Sequence, residues 1–298
     1  MKQYRKWIKL LITNPEWMFP YLVEKMSGGG IRMDDESYVR LIYKFRNGTE
    51  LNLKHPKTFT EKLNWMKLHD RQDVYTVMAD KYRVKKFVAR KIGKEYIIPL
   101  LGVWKHAGDI DFEKLPRSFV LKVTHDSGGV LICKDKNDFD YKKARKFLEK
   151  RLRQNFAYRG REWPYQNVRP RIIAETYIEN LADNNYKFFC FDGEVKALYV
   201  APYREASVDY FDADYNHLDI VTTLHQCAPV LPKKPDSFEK MKQLAEKLSK
   251  GYKEMRVDFY DVNGRVYFGE ITFFHEAGFE PFIPDKWNRI FGDWMKLS

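Results

Sequence analysis

A chain of 298 residues with 44% hydrophobic and 32% charged side chains and no low-complexity tract has the composition of a folded protein with a substantial core, which excludes a disordered chain. Its three cysteines, Cys133, Cys190 and Cys227, are scattered, without the paired spacing of a zinc site or the density of a disulfide scaffold, so a reducing, cytoplasmic setting is expected. The net charge of +12 admits nucleic acid, an anionic membrane surface or an anionic substrate, and no apolar stretch reaches the ~20 residues of a membrane-spanning helix.

Residues 1–60 read as a helical, aromatic extension. Trp7, Leu10 and Leu11 precede Asn14-Pro15; Trp17, Phe19, Tyr21 and Leu22 follow, and Gly28-Gly29-Gly30 suggests a hinge. Lys9 interrupts the first apolar run and no small-residue cleavage site follows, so no signal peptide is expected. Such a basic start packs on the protein's own body or touches the inner membrane surface peripherally.

Thr58-Phe59-Thr60-Glu61 is a capping box opening a helix through Trp65 and Leu68. Asp80 caps the next helix, on which Val84, Phe87, Val88 and Ile92 recur at helical spacing until Gly93 ends it. Short β runs then follow at 96–98, 118–123 and 130–133, with a helix through Ala144, Phe147, Leu148 and Leu152. Further strands are expected at 171–175, 186–191, 195–200, 256–262 and 265–273, with a helix from Ser237 carrying Phe238, Met241, Leu244, Ala245 and Leu248 on one stripe. Hairpins dominate, so the fold class is α+β with largely antiparallel sheets.

Lys122 stands near the end of a strand that runs through Thr124, Ser127, Gly128 and Gly129 into another strand. Glycines there let backbone amides approach phosphate oxygens, and hydroxyls and Lys122 add donors and charge; an ordinary hairpin turn explains the segment equally. The P-loop signature is absent, and its glycines would have to lead into a helix where Val130 to Cys133 reads as a strand, which disfavours a Walker-type NTPase. Asp126-Ser127-Gly128-Gly129 also looks like the nucleophile segment of trypsin-like proteases, but His55, His69 and His106 lack that family's flanking pattern.

The terminal hairpin carries Arg256, Asp258, Glu270 and Thr272 around Asn263-Gly264. A plain two-residue turn puts Asp258 and Glu270 on opposite faces; a three-residue loop from Val262 puts Arg256 and Asp258 on one face with Phe268, Glu270 and Thr272, where two carboxylates can hold magnesium over a triphosphate. His275-Glu276 lacks a second histidine four residues on, which excludes a zinc helix. Asp-x-Asp pairs at Asp109, Asp138 and Asp212 are a weak signal for a nucleotide-sugar glycosyltransferase.

In chain order, Lys81, Lys122, Ser127-Gly128-Gly129, Glu175 to Ile178, Arg256-Val257-Asp258 and Glu270-Ile271-Thr272 resemble the ATP-grasp superfamily, which includes D-alanine:D-alanine ligase. More narrowly, 56–65, 79–82, 98–104 and 268–273 resemble the TupA-like ATP-grasp family of bacterial surface-polysaccharide loci, over the chain from about Asp34 onward. The resemblance implies an ATP-grasp fold with residues 61–117 as an N-terminal lobe, 118–178 as a smaller lid subdomain and 179–298 as a larger metal-binding subdomain.

It also implies ATP and Mg2+ as cofactors. Lys81 and Lys122 would contact the phosphates or the adenine edge, Ser127, Gly128 and Gly129 would form the lid, and Glu175, Tyr177 and Ile178 the adenine hinge. Asp258, Glu270 and Thr272 would bind metal, Thr272 standing where many relatives have asparagine; Arg256 would stabilise the transferring phosphoryl group and Lys187 would reach ATP or substrate. Acceptor residues are expected around Trp163, Tyr165, Tyr203, Arg204 and His275. The implied reaction joins a carboxylate to an amine through an acyl phosphate, with an acidic, uronic-acid-containing glycan or its precursor and an amino acid as substrates and no nucleic-acid partner. A glycosyltransferase in the same pathway and a non-catalytic basic binder remain the competing readings.

Overall fold

The capping box at Thr58 forms as the sequence requires: Glu61 Oε2 accepts Thr58 N at 2.9 Å and Thr58 Oγ1 accepts Glu61 N at 3.3 Å. In this computed structural model, residues 22–23, 33–158, 160–181, 183, 185–201, 207–223 and 225–297 are described. The Trp7 and Trp17 segments, the Gly28-Gly29-Gly30 hinge, Tyr203 and Arg204 lie outside them.

Helix α1 (Asp35–Asn47) opens on Asp34, whose side chain accepts Ser37 N, and closes at the left-handed Gly48. The capping box starts α2 (Phe59–His69), then α3 (Asp73–Ala79) and α4 (Arg83–Ile92) follow; Asp80 Oδ1 accepts Tyr82 N at 2.9 Å and Arg83 N at 3.3 Å between the last two. Residues 96–98 are not a strand. Lys94–Tyr96 is a 3-10 turn, and Ile98 O takes the Lys85 ammonium at 2.9 Å instead of a strand partner; the strand begins after Pro99.

Two antiparallel sheets follow. The first joins β1 (Leu100–Trp104), β2 (Phe119–Val123), β3 (Val130–Cys133) and β4 (Ile172–Thr176) in the order β1-β4-β2-β3. Phe119, Leu121 and Val123 alternate into a core shared with Ile110, Phe112 and Leu148 of α5 (Tyr141–Leu152), which leaves Val120 and Lys122 facing away from it. The second joins β5 (Asn185–Phe191), β6 (Glu194–Ala201), β7 (Asp209–Asp212), β8 (Met255–Val262) and β9 (Arg265–Thr272) in the order β7-β6-β5-β8-β9. It packs against α2, α3, α4, α6 (Phe238–Ser249) and α7 (Lys286–Trp294) in the largest core, where Phe59 meets Phe189, Phe191, Phe282 and Phe291 with ring centroids 5.4–6.1 Å apart.

The terminal hairpin combines features of both geometries open from its sequence. Asn263 (φ 52) and Gly264 (φ 80) make a two-residue turn, and pairing runs from Val262 with Arg265 to Phe259 with Phe268. The register then shifts, so that Val257 pairs with Ile271 and Arg256 with Thr272. A bulge at Gly269-Glu270 opposite Asp258, rather than a three-residue loop, therefore brings Arg256, Asp258, Glu270 and Thr272 to one face. Phe268, expected on that face, instead pairs with Phe259 and meets its ring edge-on at 6.2 Å. Gly269 is needed at the bulge, since a Cβ there would stand 3.0 Å from the Tyr260 ring and 3.1 Å from the Asp258 carbonyl oxygen.

Candidate functional site

A cleft of ≈ 850 Å³ lies between the sheets, lined from one side by Lys81, Lys85, Lys122, Ser127 and Gly128 and from the other by Tyr260, Phe268 and Glu270. Its apolar walls are Val120, Val130 and Ile132 on the first sheet and Phe268 and Ile271 on the second, a slot suited to a flat ring. Tyr177 and Ile178, just past β4, line the same end. Asn185 Oδ1, buried and without a hydrogen-bond partner among the described residues, belongs to a residue that also lines the cleft.

On the first sheet the pairing of Val120 with Glu175 and Lys122 with Ile173 sets Lys122 beside Glu175. Glu175 Oε2 accepts from the Lys122 ammonium at 2.6 Å and Oε1 from Lys85 at 2.5 Å. Burial alone would raise the Glu175 carboxyl, but Lys122 and Lys85 outweigh it and hold it below the ordinary range. Glu175 thus orders two cations at the cleft, and both of its oxygens are engaged by them. Lys85 is absent from the sequence-derived site; its only sequence signal is its place one residue beyond buried Val84 on the amphipathic α4.

The loop from Thr124 to Gly129 is anchored from two sides. Lys81 donates to Asp126 O at 2.5 Å and its own N–H to Thr124 O at 3.1 Å, while Arg151 Nε lies 2.5 Å from Asp126 Oδ2 and its Nη2 donates to Ser127 O at 2.5 Å. Ser127 and Gly128, the latter at φ 82, form the exposed tip that lines the cleft. Gly129 does not line it: it is buried at the base of β3, where a Cβ would stand 2.3 Å from Val123 Cγ2.

On the second sheet the wholly buried Asp258 receives Arg256 Nε on Oδ1 at 2.8 Å and Arg256 Nη2 on Oδ2 at 2.9 Å, and the Lys187 ammonium also donates to Oδ2. The register pairs Lys187 with Asp258 across β5 and β8. Burial would raise the Asp258 carboxyl, but Arg256 and Lys187 hold it below its usual value. Burial likewise works against the Arg256 charge, and Asp258 more than restores it. Arg256 Nη2 further donates to Thr272 Oγ1 at 3.0 Å and lies 3.5 Å from Glu270 Oε1, which is 4.0 Å from Lys187.

The oxygen donors Asp258, Glu270 and Thr272 suit a hard cation such as magnesium. Their present partners differ: Asp258 has both oxygens on cations and Thr272 accepts from Arg256, whereas Glu270, with its side chain 44% exposed, opens to the cleft. Glu270 therefore fits a metal ligand directly, and Asp258 and Thr272 fit once Arg256 or Lys187 turns to another anion.

The expected acceptor residues divide. Tyr165 lines the cleft; Trp163 does not, because its ring packs on Tyr75 at 5.8 Å in the core. His275 is buried behind Arg256, whose Nη1 lies 3.2 Å from His275 Nδ1; a guanidinium only donates, so Nδ1 accepts and the proton sits on Nε2. Burial first, then the charges of Arg256 and Lys187, push this imidazole well below its ordinary pKa, so it stays neutral. Asp109 and Asp138 each close a 3-10 turn, and Asp212 accepts Asp214 N and Asn216 N, so each acidic pair serves its own turn outside the cleft. Away from the cleft, Asp209, His217 and Cys227 bring a carboxylate oxygen, an imidazole nitrogen and a thiol sulfur within 4.8 Å of one another, a grouping hidden by the scatter of the cysteines.

Solved structures similar to the chain include D-alanine–D-alanine ligase from Bacillus anthracis in complex with ATP, at 17% identity over 66% of this chain and 53% of that one with a TM-score of 0.39. Others are D-alanine–D-alanine ligase from Helicobacter pylori (12% identity, 72% and 59%, TM-score 0.41) and L-amino acid ligase from Bacillus licheniformis (13% identity, 80% and 55%, TM-score 0.41). The chain spans little more than half the length of these structures, and likenesses this partial carry no argument about activity. No curated protein matches the chain. The family described as TupA-like ATP-grasp matches residues 61–296, and the chain belongs to that family.

Proposed function

We propose that the chain is an ATP-dependent carboxylate–amine ligase, in which ATP lies in the cleft with its base between Val120, Val130 and Ile132 of the first sheet and Phe268 and Ile271 of the second and its triphosphate toward Arg256 and Glu270. The observation that carries this reading is the convergence of Arg256, Lys187, Asp258 and Glu270 on one face of the bulged hairpin, opposite the Ser127-Gly128 loop tip. Magnesium held by Glu270, with Asp258 and Thr272, would neutralise phosphate charge when bound. Lys122 and Lys81 face the phosphates from the first sheet, and Ser127 and Gly128 cover them with backbone amides. Arg256 stabilises charge on the transferring phosphoryl group as the substrate carboxylate becomes an acyl phosphate, and Lys187 steadies Asp258 or reaches the substrate. An amine then displaces phosphate to give an amide.

The proposed substrates are a uronic-acid-containing surface glycan or its precursor and an amino acid. The net charge of +12 supports an acidic polymer. Incubation with ATP, magnesium, a glucuronate oligosaccharide and a mixture of amino acids tests the reading. ADP, phosphate and a product lighter than its two parts by one water are expected; consumption of a UDP-sugar with ATP untouched would instead establish a glycosyltransferase.

A further inference from the structure

Beside the nucleotide cleft lies a second cavity of ≈ 360 Å³, joined to it through Ser127, Tyr165 and Glu270. In a chain of net charge +12, its walls carry four carboxylates, Glu162, Glu270, Glu276 and Glu280, against the guanidinium groups of Arg46 and Arg256. Arg256 is already bound to Asp258, Thr272 and His275.

Glu162 is the unusual member. It follows two left-handed residues, Gly160 (φ 80) and Arg161 (φ 56), which turn the chain into the 3-10 turn Trp163–Tyr165. It is only 8% exposed, yet its carboxylate has no hydrogen-bond or ion-pair partner among the described residues. Lys67 is the charge that compensates it most, but that ammonium already donates to Asn64 Oδ1, Gly160 O and Ala277 O, which engages all three of its N–H groups. Burial pushes the Glu162 carboxyl up, against the pull of Lys67. Glu280 has Oε1 on Thr223, and Glu276 is exposed at φ 46. A buried carboxylate that faces a cavity and lacks a donor is costly unless a ligand supplies one.

We propose that this cavity is the amine subsite, which receives the primary ammonium group of an amino-acid-sized nucleophile on the Glu162 carboxylate. The proposal rests on the ligase reading for its place in the reaction, and on the cavity alone for binding. The ammonium gives one proton to Glu162, and the neutral nitrogen uses its lone pair to form the C–N bond. The C–O bond to phosphate breaks, phosphate leaves with that electron pair, and the second N–H proton goes to the phosphate. Glu276 and Glu280, the two further carboxylates of the cavity that are not assigned to magnesium, favour nucleophiles with a second positive charge over those with a second negative one.

The test is a thermal-shift series with glycine ethyl ester, 1,4-diaminobutane, L-lysine and their N-acetylated forms, on the wild type, Glu162→Gln and Glu276→Gln, with ATP and magnesium as a separate arm. The free primary amines, diaminobutane most, are expected to stabilise the wild type, with apparent affinity at least tenfold weaker in E162Q and a smaller loss in E276Q; the acetylated forms have no effect. The ATP arm is expected to be unchanged in E162Q. Absence of an amine effect in the wild type, or an equal effect in E162Q, overturns the subsite. If E162Q does not fold, equal responses to free and acetylated amines in the wild type overturn it instead. An amine effect without an ATP effect leaves the subsite standing and removes the ligase reading.

Discussion

The two sheets carry the same device with different charge totals. On β4 one buried carboxylate, Glu175, lies between two cations, Lys85 and Lys122; on β8 the buried Asp258 lies between Arg256 and Lys187. The first group sums to one positive charge. The second also has Glu270 within 4.0 Å of its cations and sums to zero. The first sheet is thus poised for an anion by itself, whereas the second holds a carboxylate ready for a further cation. Burial fixes both arrangements, since neither Glu175 nor Asp258 has water to fall back on.

The strongest way to break the comparison is Arg256→Met, which leaves Asp258 buried with Lys187 alone. A loss of about 3–5 kcal/mol in denaturant unfolding is expected; a loss similar to that of a surface substitution would show that the β8 pairing contributes little. Glu175→Gln keeps the shape but removes the charge between two lysines, and a loss of about 1–3 kcal/mol is expected. Its nucleotide affinity should rise or hold, because the first sheet becomes more positive; a large fall would place Glu175 against the nucleotide.

The pH dependence sharpens the same contrast. His275 is held neutral with a pKa far below its unfolded value, so the unfolded chain binds the extra proton and stability falls as pH drops below about 6.5, by up to about 1.4 kcal/mol per unit. Asp258 and Glu175, also lowered, contribute stability that is complete above their unfolded values and is lost only as pH falls through and below about 4. Denaturation midpoints at pH 7.5, 6.5 and 5.5 should therefore slope in the wild type and slope less in His275→Asn, where His125, also lowered by burial, keeps part of the dependence. Equal slopes in both would show that another group takes up the proton. The smallest stability effect is expected from Glu270→Gln, within roughly 0.5 kcal/mol, because the side chain is nearly half exposed.

Much of the architecture was legible because its signals are local. The capping box at Thr58, the Asn263-Gly264 turn and the apolar stripe of α6 each specify their element within a few residues. What escaped depends on contacts distant in sequence. The shared face of Asp258 and Glu270 comes from a bulge at Gly269, and a one-residue slip of register has no signature in composition. Helix α3, β7 and α7 are short elements without a long periodic pattern. Lys85 and Glu162 look like ordinary charged residues until folding brings Glu175 to the first and closes a cavity around the second.

The measurement that bears most directly on the central claim is the thermal shift of wild type and Glu270→Gln with ATP, GTP and UDP-sugars, each with and without magnesium. Stabilisation by ATP that depends on magnesium in the wild type, and loses that dependence in E270Q while the protein stays folded, is the expected result. Stabilisation by a UDP-sugar alone, or an ATP effect indifferent to both magnesium and Glu270, would contradict a metal-assisted nucleotide site between the two sheets.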